Sequence, residues 1–491
     1  MPDFISYFFL SVYLLGMLLI LGYALAQGHL LFNFWKARKR NLKPEAIKDL
    51  PRVTIQLPIF NEQYVAERLI EAITKIQYPL EKLEVQILDD STDETQGLIR
   101  EKIKGFPDFP FVYIHRENRK GFKAGALKEG LEKAKGEFIA IFDADFLPSP
   151  DFLQKTIPHF QNPKVGMVQT RWTHINESYS LLTRLQAFAL DAHFLIEQVG
   201  RNTLGAFINF NGTGGVWRKD CILDAGNWED DTLTEDLDLS YRAQKKGWKF
   251  IYRPEIESPA ELPPIMSAIK SQQFRWNKGG AECAKKHASS VLQADLPVKT
   301  KLHAMAHLFN SSIFLVILAV SLASIAVWWM GFQGFISTRW TQFAGIFLIG
   351  FVIIALVYLI SYFYSKKGFF KSLLEAIFIL PLFLSVSMGM AVHNSQAVWE
   401  GLTGKKSPFV RTPKFNLESR KSSLRNNLYL KFHMPATTWV EGFLALIFLV
   451  MVILAIQSGY YLFLPFHAML AFGYGLVFFT SFRSYSLGNN L

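Results

Sequence analysis

The sequence predicts an α/β domain built on a doubly wound, mostly parallel sheet and flanked by transmembrane α-helices. Three observations predict it. Short hydrophobic strands alternate with helical segments between Val53 and Phe142. Uncharged apolar runs long enough to cross a bilayer lie before and after that region. Half of the 491 residues are hydrophobic, 44 of them Phe, and the excess sits at the two ends. The middle, from about Lys36 to Val298, has ordinary globular composition and suffices for one large core.

The other bulk properties exclude more than they assign. Cys221 and Cys283 are the only cysteines, so no disulfide framework is implied. A net charge of +11 could suggest nucleic acid, but the cations cluster beside the hydrophobic spans, as the positive-inside rule expects. Nucleic acid is therefore not an expected partner.

The first span runs from about Ile5 to Ala26. A cleaved signal peptide needs a basic start and a short core. Here Asp3 precedes the run and Lys36-Ala37-Arg38-Lys39-Arg40 follows it, which favours an uncleaved anchor with the next domain in the cytosol. After about Lys301 the polarity falls again, with candidate spans at Leu308–Met330, Phe343–Tyr364, Trp439–Ile456 and Tyr460–Thr480. A further run, Leu373–Val392, contains Glu375 and Pro381. The stretch from Val392 to Trp439 holds eight Lys or Arg, which the cytosol suits. That placement needs Leu373–Val392 to lie at the interface, giving five crossings. Six crossings are the alternative and put the basic loop outside. The expected organisation is an anchor over 1–35, a cytosolic domain over 36–300 and a membrane bundle over 301–491. A cytosolic loop at 393–436 interrupts the bundle. The protein is expected to be multi-pass in a plasma or inner membrane.

Four strands follow in order. Val53–Leu57 ends in Pro58-Ile59-Phe60-Asn61-Glu62, and Val85–Leu88 ends in Asp89-Asp90-Ser91-Thr92-Asp93. Phe111–Ile114 precedes a basic loop and a helix, and Phe138–Phe142 ends in Asp143-Ala144-Asp145. Ligands bind beyond the carboxyl ends of such strands. Two carboxylates two residues apart repel and need solvation, unless they hold a divalent cation against a diphosphate; Mg²⁺ and Mn²⁺ both prefer oxygen ligands. Asp89 and Asp90 could accept hydrogen bonds from a nucleobase or ribose, or simply cap a helix. Lys123, in Arg119-Lys120-Gly121-Phe122-Lys123-Ala124-Gly125-Ala126, could pair with a diphosphate at a helix N-terminus, and a solvated basic turn is the plainer reading.

Further along, Phe210-Asn211-Gly212-Thr213-Gly214-Gly215 packs small residues that let a sugar or a backbone approach, as an ordinary tight turn also does. Thr234-Glu235-Asp236 opens an amphipathic helix, where such residues also serve as caps. Asp236 is the candidate general base, since an acceptor hydroxyl needs proton removal as it attacks an anomeric carbon. Attack opposite the leaving phosphate inverts the centre. Gln272-Gln273-Phe274-Arg275-Trp276 lies on an expected interfacial helix. Trp276 offers a flat face for a sugar ring and Arg275 can reach phosphates, although a Trp beside an Arg is also common at membrane interfaces.

Asp89-Asp90, Asp143-x-Asp145, Thr234-Glu235-Asp236 and Gln272-x-x-Arg275-Trp276 occur together and in order. This set resembles the processive glycosyltransferase family 2 enzymes of the cellulose synthase superfamily. Phe210–Arg218 and Asp191–Gln198 look most like the cellulose-synthase-like A group, the mannan and glucomannan synthases. The resemblance covers about Arg52 to Lys286. It implies a GT-A type fold and a hexosyltransferase using UDP-glucose or GDP-mannose with Mg²⁺ or Mn²⁺. By position it implies that Asp236, with Glu235 and Asp145, is catalytic. Asp89 or Asp90 contacts the base. Asp143 and Asp145 hold metal and diphosphate, beside Lys123, Gln272 and Arg275. Trp276, Gly212 and Thr213 meet the acceptor. Phe409-Val410-Arg411-Thr412-Pro413-Lys414 resembles the Phe-x-Val-Thr-x-Lys gating loop, with Arg411 where that motif has Val. Phe409, Thr412 and Lys414 are its matching positions.

The expected function is a membrane-embedded, inverting transfer of hexose to a growing β-glycan that then crosses the bundle. A non-processive transferase acting on ceramide or diacylglycerol is the alternative. A non-enzymatic scaffold is disfavoured, because its carboxylates would carry a burial cost with no ligand to offset it.

Overall fold

A computed structural model describes residues 4–37, 47, 49–335, 345–366, 369–407, 410–417 and 434–489. The helices used below are α1 (Phe4–Ala37), α2 (Ala66–Thr74), α3 (Thr95–Lys104), α4 (Phe122–Lys133), α5 (Leu181–Asp191), α6 (Glu235–Lys245) and α7 (Met266–Gln293). They continue as α8 (Val298–Leu308), α9 (Ile313–Phe332), α10 (Leu348–Ser365), α11 (Phe369–Gly389), α12 (Ala391–Thr403), α13 (Ala436–Ser458) and α14 (Leu464–Asn489). The strands are β1 (Val53–Ile59), β2 (Leu83–Asp89), β3 (Phe111–His115), β4 (Phe138–Ile141), β5 (Val165–His174), β6 (Gly215–Arg218) and β7 (Lys249–Ala260).

The strands form one sheet in the order β3-β2-β1-β4-β6-β5-β7. All neighbours are parallel except β6, which runs antiparallel to both β4 and β5. The four strands expected from the sequence are β1 to β4. Alternation explains their register. Val53, Ile55 and Leu57 of β1, with Val85 and Ile87 of β2, pack against Leu69, Ile70 and Ile73 of α2. Thr54 and Gln56 point to the other face, where Thr54 donates to Glu84 (2.7 Å) and Gln56 to Gln86 (3.0 Å). A slip of one residue would exchange these sets. Both faces are buried, so the slip would instead press these polar side chains against α2 without their partners, at about 1–3 kcal/mol for each group left unpaired. On that second face Ile139 and Ile141 of β4 pack with Leu127 and Leu131 of α4, Phe210 and Trp217.

The position of β6 matters for the site. Its antiparallel register sets Gly215 opposite Ile141. The segment that leads into β6 therefore lies beside the segment that leaves β4. Gly214 N–H donates to the Ile141 carbonyl (2.9 Å), and Asp143 N–H donates to Thr213 Oγ1 (2.9 Å).

Among the described residues six helices are long and apolar enough to cross a membrane: Tyr7–Ala37, Asn310–Phe332, Leu348–Ser365, Ser372–Gly389, Ala436–Ser458 and Leu464–Ser486. This is one more than the five crossings expected, and the additional one is α11. Both of its ends meet the domain that carries the sheet. Near its start Glu375 accepts from Tyr362 (2.6 Å) and pairs with Arg184 of α5 (3.6 Å). Just past its end Met390 packs with Met266 and Ile269 of α7. α12 then runs along α7, where Gly401 and the Lys278 carbonyl come into close contact.

Buried polar links join the domain to the helices around it. Gln27 of α1 donates to Glu197 (2.8 Å). Lys270 of α7 reaches Glu441 (2.6 Å) and Thr438 (3.1 Å) of α13. Lys278 of α7 pairs with Glu400 (3.3 Å) and donates to Ser407 (2.6 Å). Both lysine side chains are 2% exposed or less.

Candidate active site

The ends of β1, β2 and β4, the segment before β6, the start of α6, the middle of α7 and residues 411–414 line one pocket. This is where a mixed α/β sheet of this kind binds ligands. The pocket brings together Asp90, Lys123, Asp143, Asp145, Gly212, Glu235, Asp236, Gln272, Arg275, Trp276, Thr412 and Lys414 from the sequence-based set. Asp89 and Thr213 are not on its wall, and Phe409 lies outside the described residues.

The difference between Asp89 and Asp90 is physical. Asp89 is fully buried and both its oxygens are engaged, one by Ser91 N–H (2.9 Å) and the other by the Tyr113 hydroxyl (2.6 Å). It fixes the turn after β2. Asp90 takes the Arg116 guanidinium bidentately and faces the pocket. Thr213 is likewise buried, and its hydroxyl straps Asp143 N–H to the sheet.

Two ion pairs occupy the centre. Lys123, in the first turn of α4, donates to Asp143 (2.6 Å) and to the Gly212 carbonyl (2.8 Å), and lies 3.9 Å from Glu235. Lys414 donates to Asp145 Oδ2 (2.7 Å), whose buried Oδ1 has no hydrogen-bond partner. Burial lowers the Lys123 pKa, yet Asp143 and Glu235 outweigh it and hold the ammonium above its usual value. Each carboxylate of the Asp143-x-Asp145 pair thus faces a cation drawn from a different element.

Asp236 sits in the first turn of α6, its Oδ1 accepting from Leu237 N–H (2.8 Å). Burial, and then the neighbouring Glu235 charge, raise its pKa to about 7. Glu235 is raised as well, by burial first. A carboxylate titrating there is basic enough to accept a proton from a hydroxyl in the course of attack. α7 comes close because Gly279 has no side chain: a Cβ there would stand 2.5 Å from Thr234 Cγ2. That contact places Gln272, Arg275 and Trp276 along the pocket opposite the strand ends. Arg275, its pKa lowered by burial, donates to Thr412 (2.7 Å) and so joins α7 to residues 410–417.

Several wall residues were given no site role from the sequence: Glu62, Arg119, Trp172, His174, Glu261 and Arg411. Glu62 closes the segment after β1, so the strand-end rule that flags Asp90 and Asp143 also flags it. Burial raises its pKa to about 7, against the pull of Arg411, with which it pairs. Arg119 lies 3.4 Å from the Phe60 ring centroid. Trp172 donates to the Thr213 carbonyl (3.3 Å) and meets Phe146 edge-on. It had no signal beyond being an aromatic in a strand.

Among the described residues a second carboxylate cluster, Glu229, Asp231 and Asp238, could hold a metal by its spacing. Lys286 Nζ already lies 2.7, 2.8 and 2.8 Å from those three, so a cation of the protein itself occupies the place between them.

Comparison with known proteins bears on family and fold. Residues 51–279 match the family described as "Glycosyltransferase like family 2". A "Probable glucomannan 4-beta-mannosyltransferase 4" of Oryza sativa subsp. japonica is 42% identical over 267 residues, covering 53% of this chain and 49% of that protein. A "Glucomannan 4-beta-mannosyltransferase 2" of Arabidopsis thaliana is 40% identical over 275 residues, covering 53% and 52%. The chain spans about half the length of the curated relatives it matches. Among solved structures, the "Mannosyltransferase PcManGT from Pyrobaculum calidifontis in complex with GDP-Man and Mn2+" superposes with a TM-score of 0.53. It is 19% identical, and the match covers 79% of this chain and 100% of that one, a likeness of fold.

Proposed function

We propose, for a chain whose residues 51–279 are a glycosyltransferase family 2 domain, that it is a membrane-embedded inverting hexosyltransferase extending a β-glycan. The observation that carries this reading is the shared pocket of Asp143, Asp145 and Asp236, with Asp236 titrating near neutrality. The relatives named as glucomannan mannosyltransferases support GDP-mannose as donor, with UDP-glucose as the other sugar nucleotide to test.

In the proposed step the acceptor hydroxyl oxygen forms a bond to the anomeric carbon as the bond from that carbon to the leaving phosphate breaks. The proton passes to Asp236. Attack and departure on opposite faces invert the centre. Trp276 stacks on the acceptor ring and holds its hydroxyl in line. The two central ion pairs rearrange to admit the donor: Lys123 and Lys414 turn from carboxylate to phosphate. The partnerless, buried Asp145 Oδ1 and the adjacent Asp143 fit a divalent cation, Mg²⁺ or Mn²⁺. Such an ion supplies charge neutralisation for the departing diphosphate. Asp90 and its Arg116 partner meet the nucleobase.

The membrane arrangement is part of the proposal. α11 rests along the interface, because both its ends and the following α12 return to the catalytic domain. Five helices then cross, with the domain and residues 393–436 together in the cytosol.

Product analysis tests the reading. Purified protein in lipid is incubated with Mn²⁺ and radiolabelled GDP-mannose or UDP-glucose, and the product is extracted with organic solvent. Label in an insoluble polymer, released by β-mannanase or β-glucanase, is the expected result. Label wholly in the organic phase makes the acceptor a lipid. No incorporation from either donor overturns the assignment.

A further inference from the structure

Three arginines converge on the pocket from separate elements: Arg119 before α4, Arg275 on α7 and Arg411 in residues 410–417. Burial lowers the pKa of Arg119 to about 10 and lowers that of Arg275, and the Arg411 charge pushes both the same way. Arg411 thus repels each of the other two guanidinium groups, a crowding that a multiply charged anion relieves. Arg411 pairs across the pocket with Glu62, at the end of β1, and both side chains are largely buried, at 15% and 9% exposure. A carboxylate presents two oxygens to an arginine fork much as a phosphate does, so one can replace the other without moving the arginine far. The segment has a separate anchor. Phe415 N–H donates to Glu261 (2.9 Å), and Phe415 and Leu417 pack with Ile265 and Ala268. Breaking the Arg411–Glu62 pair does not undock it.

We infer that Arg411 is a ligand for the diphosphate of the sugar nucleotide and that Glu62 is the counter-charge Arg411 gives up when the donor arrives. This rests on the donor reading proposed above. It goes beyond the gating-loop resemblance, whose motif has Val where this chain has Arg411.

The test is calorimetric binding of GDP, UDP, GMP and UMP, each with Mn²⁺, to the full chain in lipid nanodiscs. The proteins are the wild type, Arg411→Met, Arg411→Lys and Glu62→Gln. Loss of a charge-assisted phosphate contact predicts about 10- to 100-fold weaker diphosphate binding in Arg411→Met. Monophosphate binding stays near the wild-type value. Arg411→Lys recovers part of the loss, which separates lost charge from misfolding. Glu62→Gln tightens diphosphate binding, a change that a merely structural glutamate does not produce. Unchanged diphosphate affinity in Arg411→Met, equal losses for mono- and diphosphates, or weaker diphosphate binding in Glu62→Gln overturns the inference. A wild type that binds neither diphosphate overturns the donor reading and this inference with it.

Discussion

Gly212 and Asp236 face each other so closely that a Cβ on the glycine would stand 3.1 Å from Asp236 Oδ2 and 3.4 Å from Lys123 Nζ. Gly212 also has φ +81°, a region that costs an L-residue about 1–2 kcal/mol. Gly212→Ala is expected to leave the protein folded, with a small drop in melting temperature. Because the intruding methyl displaces the base and the lysine together, turnover should fall by about 100-fold. Initial rates beside a thermal melt check this. A variant with wild-type turnover would show that the acceptor does not use this space.

The base assignment makes a sharper demand. Asp236→Asn keeps the shape of α6's first turn and removes the proton acceptor. Transfer is expected to drop by about 10²- to 10⁴-fold with nucleotide affinity nearly intact. Rates and equilibrium binding measured on the same preparation separate the two quantities.

The raised pKa of Asp236 sets a pH dependence with a definite sign. Only the deprotonated carboxylate accepts a proton, so kcat/KM should be lost as pH falls through about 7 and be constant above it. The neighbouring Glu235 charge contributes to that elevation, after burial. Glu235→Gln should therefore move the acid limb to lower pH, although the pair titrates together. Glu62 also titrates near 7 and acts on donor binding, so the limb is compared in kcat at saturating donor, where Glu62→Gln should leave it in place. A limb that follows Glu62 and ignores Glu235 would refute the assignment.

If the proposed metal site is correct, Lys414 and the divalent cation compete for Asp145. Lys414→Met removes the ammonium that lies 2.7 Å from Asp145 Oδ2. Without donor present, Mn²⁺ should bind this variant more tightly than the wild type, as read from the free-ion electron paramagnetic resonance signal. Glycan synthesis should nonetheless fall, since the same lysine faces the phosphates in the proposed step. Weaker Mn²⁺ binding would place the metal elsewhere.

The placement of α11 can be read by labelling. Cys221 and Cys283 are buried, so introduced cysteines report alone. In sealed vesicles a membrane-impermeant maleimide should reach Lys104→Cys and Lys406→Cys from the same side. Gln333→Cys, at the far end of α9, should react from the other. Opposite sidedness of positions 104 and 406 would mean that α11 crosses.

Much of the fold was legible because its signals are local. Strands β1 to β4 announce themselves by hydrophobic runs ending in polar clusters, and the Asp143 and Asp236 motifs sit at element ends. The strands β5, β6 and β7 were not anticipated. β6 is only four residues long and has its place through its antiparallel register with β4. Among the site residues, Asp89 and Asp90 look alike in sequence. Only tertiary contacts, Tyr113 on one and Arg116 on the other, set the residue that fixes the turn apart from the one that faces the pocket. Arg411 stood out merely as a departure from a motif, since its partner Glu62 lies more than three hundred residues earlier.

The two lysines of α7 decide whether the catalytic domain is a portable module. Lys270 and Lys278 point away from the sugar-nucleotide side, into partners supplied by α12, α13 and the residue after α12 that carries the Ser407 hydroxyl. A cut near residue 300 leaves both ammonium groups on the fragment without their counter-charges. It strands Glu400 and Glu441 on the other piece. Breaking one buried pair costs about 3–5 kcal/mol, and total domain stability is about 5–15 kcal/mol. A fragment ending near residue 300 is therefore expected to be far less stable than the full chain until those positions are rewritten, so the bundle serves the domain as a source of counter-charge as well as an anchor.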